Sequence, residues 1–197
     1  MENATKKRGE GRIAAFTGHM VDAPGRTTPR FPERKVEPVR RAIAHQLDAL
    51  DVRYGASSGA RGSDILFLEE LLKRGGTAHV FLPFPKEDFA RTSVGYGWDD
   101  RYWALFRHPR VRIVELAPAL PPEGDQDAAY DFCNQRIQHE AIRQAKQAGT
   151  TPVLLSVWNG NPGDGRGGTA DAVRAWRKHG YELVVIDISK LPDTHSE

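Results

Sequence analysis

Two glycine-rich turns hold the residues whose types and spacing can do chemistry. The first, Gly55-Ala56-Ser57-Ser58-Gly59-Ala60-Arg61-Gly62-Ser63-Asp64, leads into the apolar stretch Ile65-Leu66-Phe67-Leu68. The second, Gly160-Asn161-Pro162-Gly163-Asp164-Gly165-Arg166-Gly167-Gly168-Thr169, follows Val153-Leu154-Leu155-Ser156-Val157-Trp158. A glycine has no Cβ, so backbone N–H groups can close on an anion, and a following helix adds its positive N-terminal end. Two such turns on one α/β scaffold point to a ligand that carries phosphate, a nucleotide above all.

The first turn offers the hydroxyls of Ser57, Ser58 and Ser63, close backbone approach at Gly59 and Gly62, and Arg61 as a charged clamp. It lacks the Lys-Ser/Thr ending of a P-loop, and the Gly-x-Gly-x-x-Gly dinucleotide spacing does not follow the first strand. The plain alternative is a tight strand-to-helix turn with Ser63 or Asp64 as N-cap. In the second turn Gly165, Arg166, Gly167 and Gly168 surround a phosphate position, and Thr169 is suited both to cap the helix and to contact the anion. Asp171 falls in the first helical turn, where it either favours the helix dipole or faces a ribose and its glycosidic bond.

Other groups converge on the same sheet edge. Thr17-Gly18-His19 closes the first strand, so His19 either contacts phosphate, shuttles a proton, or bonds to the loop that follows. That loop, Asp22 to Arg34, is rich in Pro and Arg. Its Arg30 can clamp a phosphate bidentately or pair with a structural acid. Phe84, Trp98 and Trp158 can stack on a base or fill the core, with Trp158 favoured because it ends a strand at that edge. Asn134 and Arg136 lie on a long helix and either reach the site or tie down a loop. The seven histidines are scattered without ligand-like spacing, so no metal is expected. Cys133 reads as a packed residue, and no Gly-x-Ser-x-Gly turn marks a nucleophilic serine.

These residues need a scaffold, and the apolar pattern supplies one. Strand-like runs cover 12–16, 52–56, 79–84, 111–116, 152–158 and 183–188. Helical spacing covers 36–50, 63–74, 98–108, 128–148 and 169–179. Strands alternating with helices predict an α/β, Rossmann-like three-layer domain, its sheet mostly parallel with helices on both faces. Ligands of such sheets sit beyond the carboxyl ends of the strands, where both turns fall. The chain of 197 residues fits one domain, 12–190, with a polar lead-in over 1–11 and a frayed tail over 191–197. With 28 Lys and Arg against 26 Asp and Glu, the net charge of +2 argues against nucleic acid and anionic membranes as partners. A single cysteine and the absence of an apolar leader or span fit a cytoplasmic protein.

Strand, Gly-Ala-Ser-x-Gly-Ala-x-Gly-Ser-Asp, and a later strand, Trp and Gly-x-Gly-Gly-Thr-x-Asp, resemble the SLOG superfamily. That superfamily includes the Lonely Guy phosphoribohydrolases and DNA-processing protein A. Over Ala15 to Ile188 the chain is more specifically similar to domains attached to bacterial tetratricopeptide-repeat and adenylate-cyclase-like proteins. The matching segments include Phe16-Thr17-Gly18-His19-Met20-Val21-Asp22, Pro29-Arg30-Phe31-Pro32, Ser63 to Glu69, Leu82-Pro83-Phe84 and Gly167 to Asp171. The resemblance implies a Rossmann-like fold, a bound nucleotide or nucleotide-derived signal, and self-association into a dimer.

Catalysis carries over less completely. Lonely Guy enzymes have Pro-Gly-Gly-x-Gly-Thr-x-x-Glu, whose acid helps cleave an N-glycosidic bond. Here Asp171 stands two residues after Thr169, and Ala172 holds the place of that Glu. Glu69, and Glu70 beside it, remain candidate acids on the helix after the first turn. The leading expectation is therefore a nucleotide-binding sensor or signalling module that needs no further cofactor. Its alternative is an N-glycosidase acting on a nucleoside monophosphate or dinucleotide, with Asp171 or Glu69 assisting departure of the base.

Overall fold

Six short runs of apolar and β-branched residues become strands. The central ones, β1 and β5, are almost wholly buried, whereas the edge strands β4 and β6 keep exposed residues such as Arg112, Glu182 and Val185. The computed structural model describes residues 11–162 and 167–194. In chain order the elements are β1 (Arg12–Gly18), α1 (Val36–Ala49), β2 (Val52–Ser57), α2 (Ser63–Lys73), β3 (Thr77–Leu82), α3 (Lys86–Ser93) and α4 (Asp99–Arg107). Then follow β4 (Val111–Glu115), α5 (Gln126–Gln147), β5 (Val153–Trp158), α6 (Thr169–His179) and β6 (Glu182–Asp187), with short 3-10 turns at Glu33–Lys35 and Ile188–Lys190. Every strand pairing is parallel, in the order β4-β3-β2-β1-β5-β6.

Alternation along the strands makes two cores. On one face Ala14 and Phe16 of β1 pack with Val39 and Ile43 of α1 and Phe67 and Leu71 of α2. Phe16 and Phe67 stack with ring centroids 4.4 Å apart. On the other face Ile13 and Ala15 meet Cys133, Ile137 and Ala141 of α5 and Val173 and Trp176 of α6. Each fully buried side chain of this size contributes roughly 1.5–3 kcal/mol. The result is a three-layer, Rossmann-like α/β domain.

Sequence periodicity left 85–97 unassigned, but α3 forms there. Pro85 sits at its N-cap, Glu87 and Asp88 occupy its first turn, and Phe89, Ala90 and Ser93 turn inward. Eight residues are too few for a clear period. At the C-terminal side, Asp193 pairs with Arg34 at 2.8 Å, and Thr194 donates from its amide and hydroxyl to the Arg34 carbonyl. Most of the expected lead-in (1–10) and the end of the expected tail (195–197) lie outside the described residues. No helix among them is long and apolar enough to cross a membrane.

Candidate functional site

The chain runs outward from β1 through β2 and β3 to β4, then returns to place β5 on the other side of β1. The carboxyl ends of β1 and β5 therefore part at a topological switch point, where open α/β sheets hold ligands. A cavity of about 370 Å³ lies there, within the usual size of small-molecule sites.

One wall is the end of β1 and the loop beyond it. Thr17, Gly18, His19, Met20 and Arg30 line the cavity. Gly18 is required by close approach, because a Cβ there would sit 2.6 Å from the Ser63 Cβ. His19 pairs its Nε2 with the Asn159 side chain at 3.1 Å. Burial is the main influence on this imidazole and holds its pKa below the ordinary value, so it is neutral at pH 7. The loop bearing Arg30 winds around Asp22, whose carboxylate accepts the backbone amides of Arg30 and Phe31 at 3.0 Å and faces Arg26 at 3.4 Å.

The second wall is the entry to α6. Gly167, Gly168, Thr169 and Ala170 line it. Gly167 has φ +77°, and a Cβ there would meet the Asp131 amide and Tyr130 Cβ at 2.9 Å. Asn134 of α5 holds the turn by donating from Nδ2 to the Gly167 carbonyl at 2.6 Å. Gly168, not Thr169, is the N-cap, and no side chain caps the helix, so the capping role expected of Thr169 is corrected. The amides of Thr169 and Ala170 donate to no acceptor among the described residues. They point the positive end of α6 into the cavity.

The third wall carries hydroxyls and acids. Ser58, Asp64, Thr92, Ser93, Asp127 and Tyr130 line it. The Tyr130 hydroxyl lies 3.0 Å from the Ser93 hydroxyl and 3.3 Å from that of Thr92. Asp64 accepts from the Ser58 hydroxyl and from the Ala60 amide at 3.3 Å. Its burial outweighs those bonds and raises its pKa to about 6. Nearby Cys133 donates to the Phe81 carbonyl at 3.2 Å, and burial pushes its thiol well up, leaving it an inert packed group.

Of the residues nominated from sequence, Thr17, Gly18, His19, Arg30, Ser58, Gly167, Gly168 and Thr169 thus come together. Gly165 and Arg166 lie outside the described residues. The rest of the first turn is occupied by the protein itself. Arg61 donates from its amide to Ser93, from Nε to Val21 at 3.0 Å and from a terminal nitrogen to Val94 at 3.1 Å. Ser63 donates from its hydroxyl to the His19 carbonyl at 2.6 Å. Ser57 is buried at the end of β2, Gly62 is the N-cap of α2 at φ +92°, and Gly59 takes φ +87°.

Four other nominees stand away from the lining. Phe84 is fully buried against the rings of Phe89 and Tyr130. Trp158 donates from Nε1 to the Asn161 carbonyl at 2.7 Å. Glu69 is held by Arg101 at 2.6 Å and Arg40 at 3.0 Å. Asp171 accepts from the Gly167 amide at 3.0 Å and pairs with Arg174 at 2.7 Å, which places it on the turn's own backbone. The sequence reading names Asp64 as a cap and a motif residue and Ser93 within a family-like segment, and gives no site role to Asp64, Ser93 or Tyr130. The available signal for Asp64 was a carboxylate one residue into a helix that follows a run of small hydroxylated residues.

No protein-family model matches the chain, and no curated protein matches it. Solved structures do. DNA processing protein A from Streptococcus pneumoniae is 13% identical with a TM-score of 0.43, over 93% of this chain and 63% of that one, so the chain spans less than two thirds of that protein. DNA processing protein A from Helicobacter pylori is 13% identical with a TM-score of 0.37, over 90% and 77% of the two chains. The Moco carrier protein of Chlamydomonas reinhardtii is 13% identical with a TM-score of 0.34, over 91% and 92%. The Helicobacter pylori protein has a single-stranded DNA binding mode, and this finding corrects the exclusion of nucleic acid drawn from net charge. A net charge sums the whole surface, whereas a strand is gripped by a local group of cations.

Proposed function

We propose that the chain binds a nucleotide-type ligand in the cleft between β1 and β5, as a sensing module whose occupancy a partner or a second copy reads. The carrying observation is the pair of open amides at the start of α6, Thr169 and Ala170, which face a cavity sized for a small molecule. In this reading a phosphate rests on those amides with Arg30 and the neutral His19 beside it. Sugar hydroxyls meet Asp64, Ser93 and Tyr130 on the opposite wall. A carboxylate there repels a second anion and accepts from a diol. The two ends of the cleft therefore sort a ligand by polarity. A cytoplasmic home and a dimer belong to the same proposal.

The test is thermal unfolding and calorimetry with AMP, ADP-ribose, NAD and cyclic nucleotides. A ligand that binds only the folded chain stabilises it by about 2.7 kcal/mol at a hundredfold excess over Kd. We expect a rise in Tm with at least one of them. Silence across the panel removes the proposal.

The hydrolase alternative keeps one specific support. Asp64 lines the cavity and its pKa of about 6 lets it hold a proton near neutrality. Such a group can protonate a departing base as water adds to the anomeric carbon. Chromatography after incubation with AMP or NAD separates the readings, because free base appears only if the chain turns over.

A further inference from the structure

Gly95, Tyr96 and Gly97 occupy the left-handed region in succession, at φ +57°, +49° and +83°. Glycine enters that region freely, but a bulky L-residue does so rarely and under strain. Tyr96 receives no burial in return, since 64% of it is exposed. A third glycine would satisfy the same backbone, so the ring itself calls for an explanation.

The ring has a defined seat. The Arg61 guanidinium lies under it, 4.9 Å from the centroid. Arg61 cannot swing away, because the carbonyls of Val21 and Val94 hold its side chain and that of Ser93 holds its amide. Its surroundings also fix where the ring stands. Ala60 precedes Arg61, Met20 precedes Val21, and Ser93 precedes Val94, and Ala60, Met20 and Ser93 all line the cavity. The Tyr96 ring is thus braced on a cation whose neighbours and partners' neighbours line the cleft, while Tyr96 and Arg61 themselves stand outside that lining. Met20, on the cavity wall, is 40% exposed.

We propose that Tyr96 is a stacking platform for a nucleobase, with Arg61 fixing its orientation from behind. Every base offers a π-face, and an aromatic ring backed by arginine is suited to it. The inference rests on the nucleotide reading above and extends it. Gly167 closely approaches Tyr130, whose hydroxyl lies 3.0 Å from that of Ser93, three residues before Tyr96. In this proposal the ligand runs from a phosphate at the start of α6 along this line toward the ring. The backbone strain holds the ring out, where collapse onto the core would bury it.

The full chain tests this through Tyr96→Gly and Tyr96→Trp. Glycine relieves the left-handed strain while removing the ring's contact with Arg61, so folding is expected to survive with Tm near the parent's. Dissociation constants are measured for AMP, for ribose 5-phosphate and for a short oligodeoxythymidylate. We expect Tyr96→Gly to weaken AMP roughly five- to a hundredfold, to leave ribose 5-phosphate within about twofold, and Tyr96→Trp to retain AMP. Equal AMP affinity in parent and Tyr96→Gly overturns the platform. Loss of AMP and ribose 5-phosphate together also overturns it, because the residue then acts on the whole site. If neither protein binds AMP, ADP-ribose, NAD or a cyclic nucleotide, the nucleotide reading has failed on its own account. The platform then stands if Tyr96→Gly weakens the oligonucleotide by the same factor, the base coming from a strand, and falls if it does not.

Discussion

In the turn that enters α2, the amide of Ala60 donates to the Asp64 carboxylate, that of Arg61 to Ser93 and that of Ser63 to His19. In the turn that enters α6, the amides of Thr169 and Ala170 find no described acceptor and face open space. Both turns are rich in glycine, both precede a helix, and both touch one cavity. They differ in what they hold. The first encloses an anion that the chain supplies, Asp64. The second gives its Gly167 amide to Asp171 and leaves those of Thr169 and Ala170 for something else. A glycine-rich turn therefore marks a place where backbone can approach an anion, and only the hydrogen-bond inventory tells whose anion it is.

If that contrast is right, damage to the first turn reads out as stability and damage to the second as affinity. The largest effect is expected from Gly62→Ala. Gly62 has φ +92° and ψ −123°, and a Cβ would lie 2.6 Å from the Val21 amide nitrogen. Backbone cannot yield as a side-chain tip does, so a cost of about 3 kcal/mol is expected, a fall in Tm of roughly 6–12 °C for a chain of this size. Differential scanning calorimetry checks it. An unchanged Tm with lost AMP affinity would reverse the assignment of the two turns.

Asp64→Asn sharpens the contrast through pH. The Asp64 pKa rises from 3.8 to about 6 on folding, through burial. Between those values the folded chain holds a proton that the unfolded chain has released. The stability linked to this group is thus fully present below about 3.8 and is lost as pH climbs through 6. At 1.36 kcal/mol per pH unit the loss at neutral pH is at most about 3 kcal/mol. The Asn variant has no such proton to lose. Its Tm relative to the parent's should therefore rise between about pH 4 and pH 6 and level off by pH 7. A flat difference across that range would mean that folding does not raise the Asp64 pKa, and would remove its support as a proton donor near neutrality.

Thr169→Ala is the mirror test in the second turn. The hydroxyl lines the cavity and caps nothing. Its loss should leave Tm unchanged and weaken AMP about tenfold, the worth of a hydrogen bond to a charged group. A fall in Tm with unchanged affinity would show both turns to be structural.

Much of this architecture was legible in the chain. Runs such as Val153-Leu154-Leu155 announced strands covered on both faces, and the wholly parallel sheet bears that out. Thr17, Gly18 and His19 were placed at the ligand edge because a first strand must end there. What sequence could not weigh was competition among partners. The hydroxyls of Ser57, Ser58 and Ser63 looked alike, yet only Ser58 reaches the cavity, because Ser63 bonds to the His19 carbonyl across a 44-residue separation. Phe84 and Tyr96 are both aromatic residues next to turns. One is sealed inside and the other stands in water, and only the left-handed backbone at Tyr96 distinguishes them.

Glu69 gives the smallest expected effect and sets a boundary on the comparison. It lies on α2, six residues beyond Ser63, where the first turn has already become helix. Arg101 holds both its oxygens at 2.6 and 2.8 Å, and Arg40 adds a contact at 3.0 Å. Arg101 in turn lies 3.9 Å from the Trp98 ring centroid, so the carboxylate pins α4 to α2. These guanidiniums overcome the burial that would raise its pKa and hold it low, which keeps Glu69 ionised and unable to deliver a proton near neutrality. Because the pair is partly exposed, Glu69→Gln should cost no more than about 1 kcal/mol, and the loss should shrink in high salt. AMP affinity should not move. A Glu69→Gln chain that folds normally but binds AMP more weakly would extend the cleft past the first turn and along α2, where no cavity-lining residue beyond Asp64 now lies.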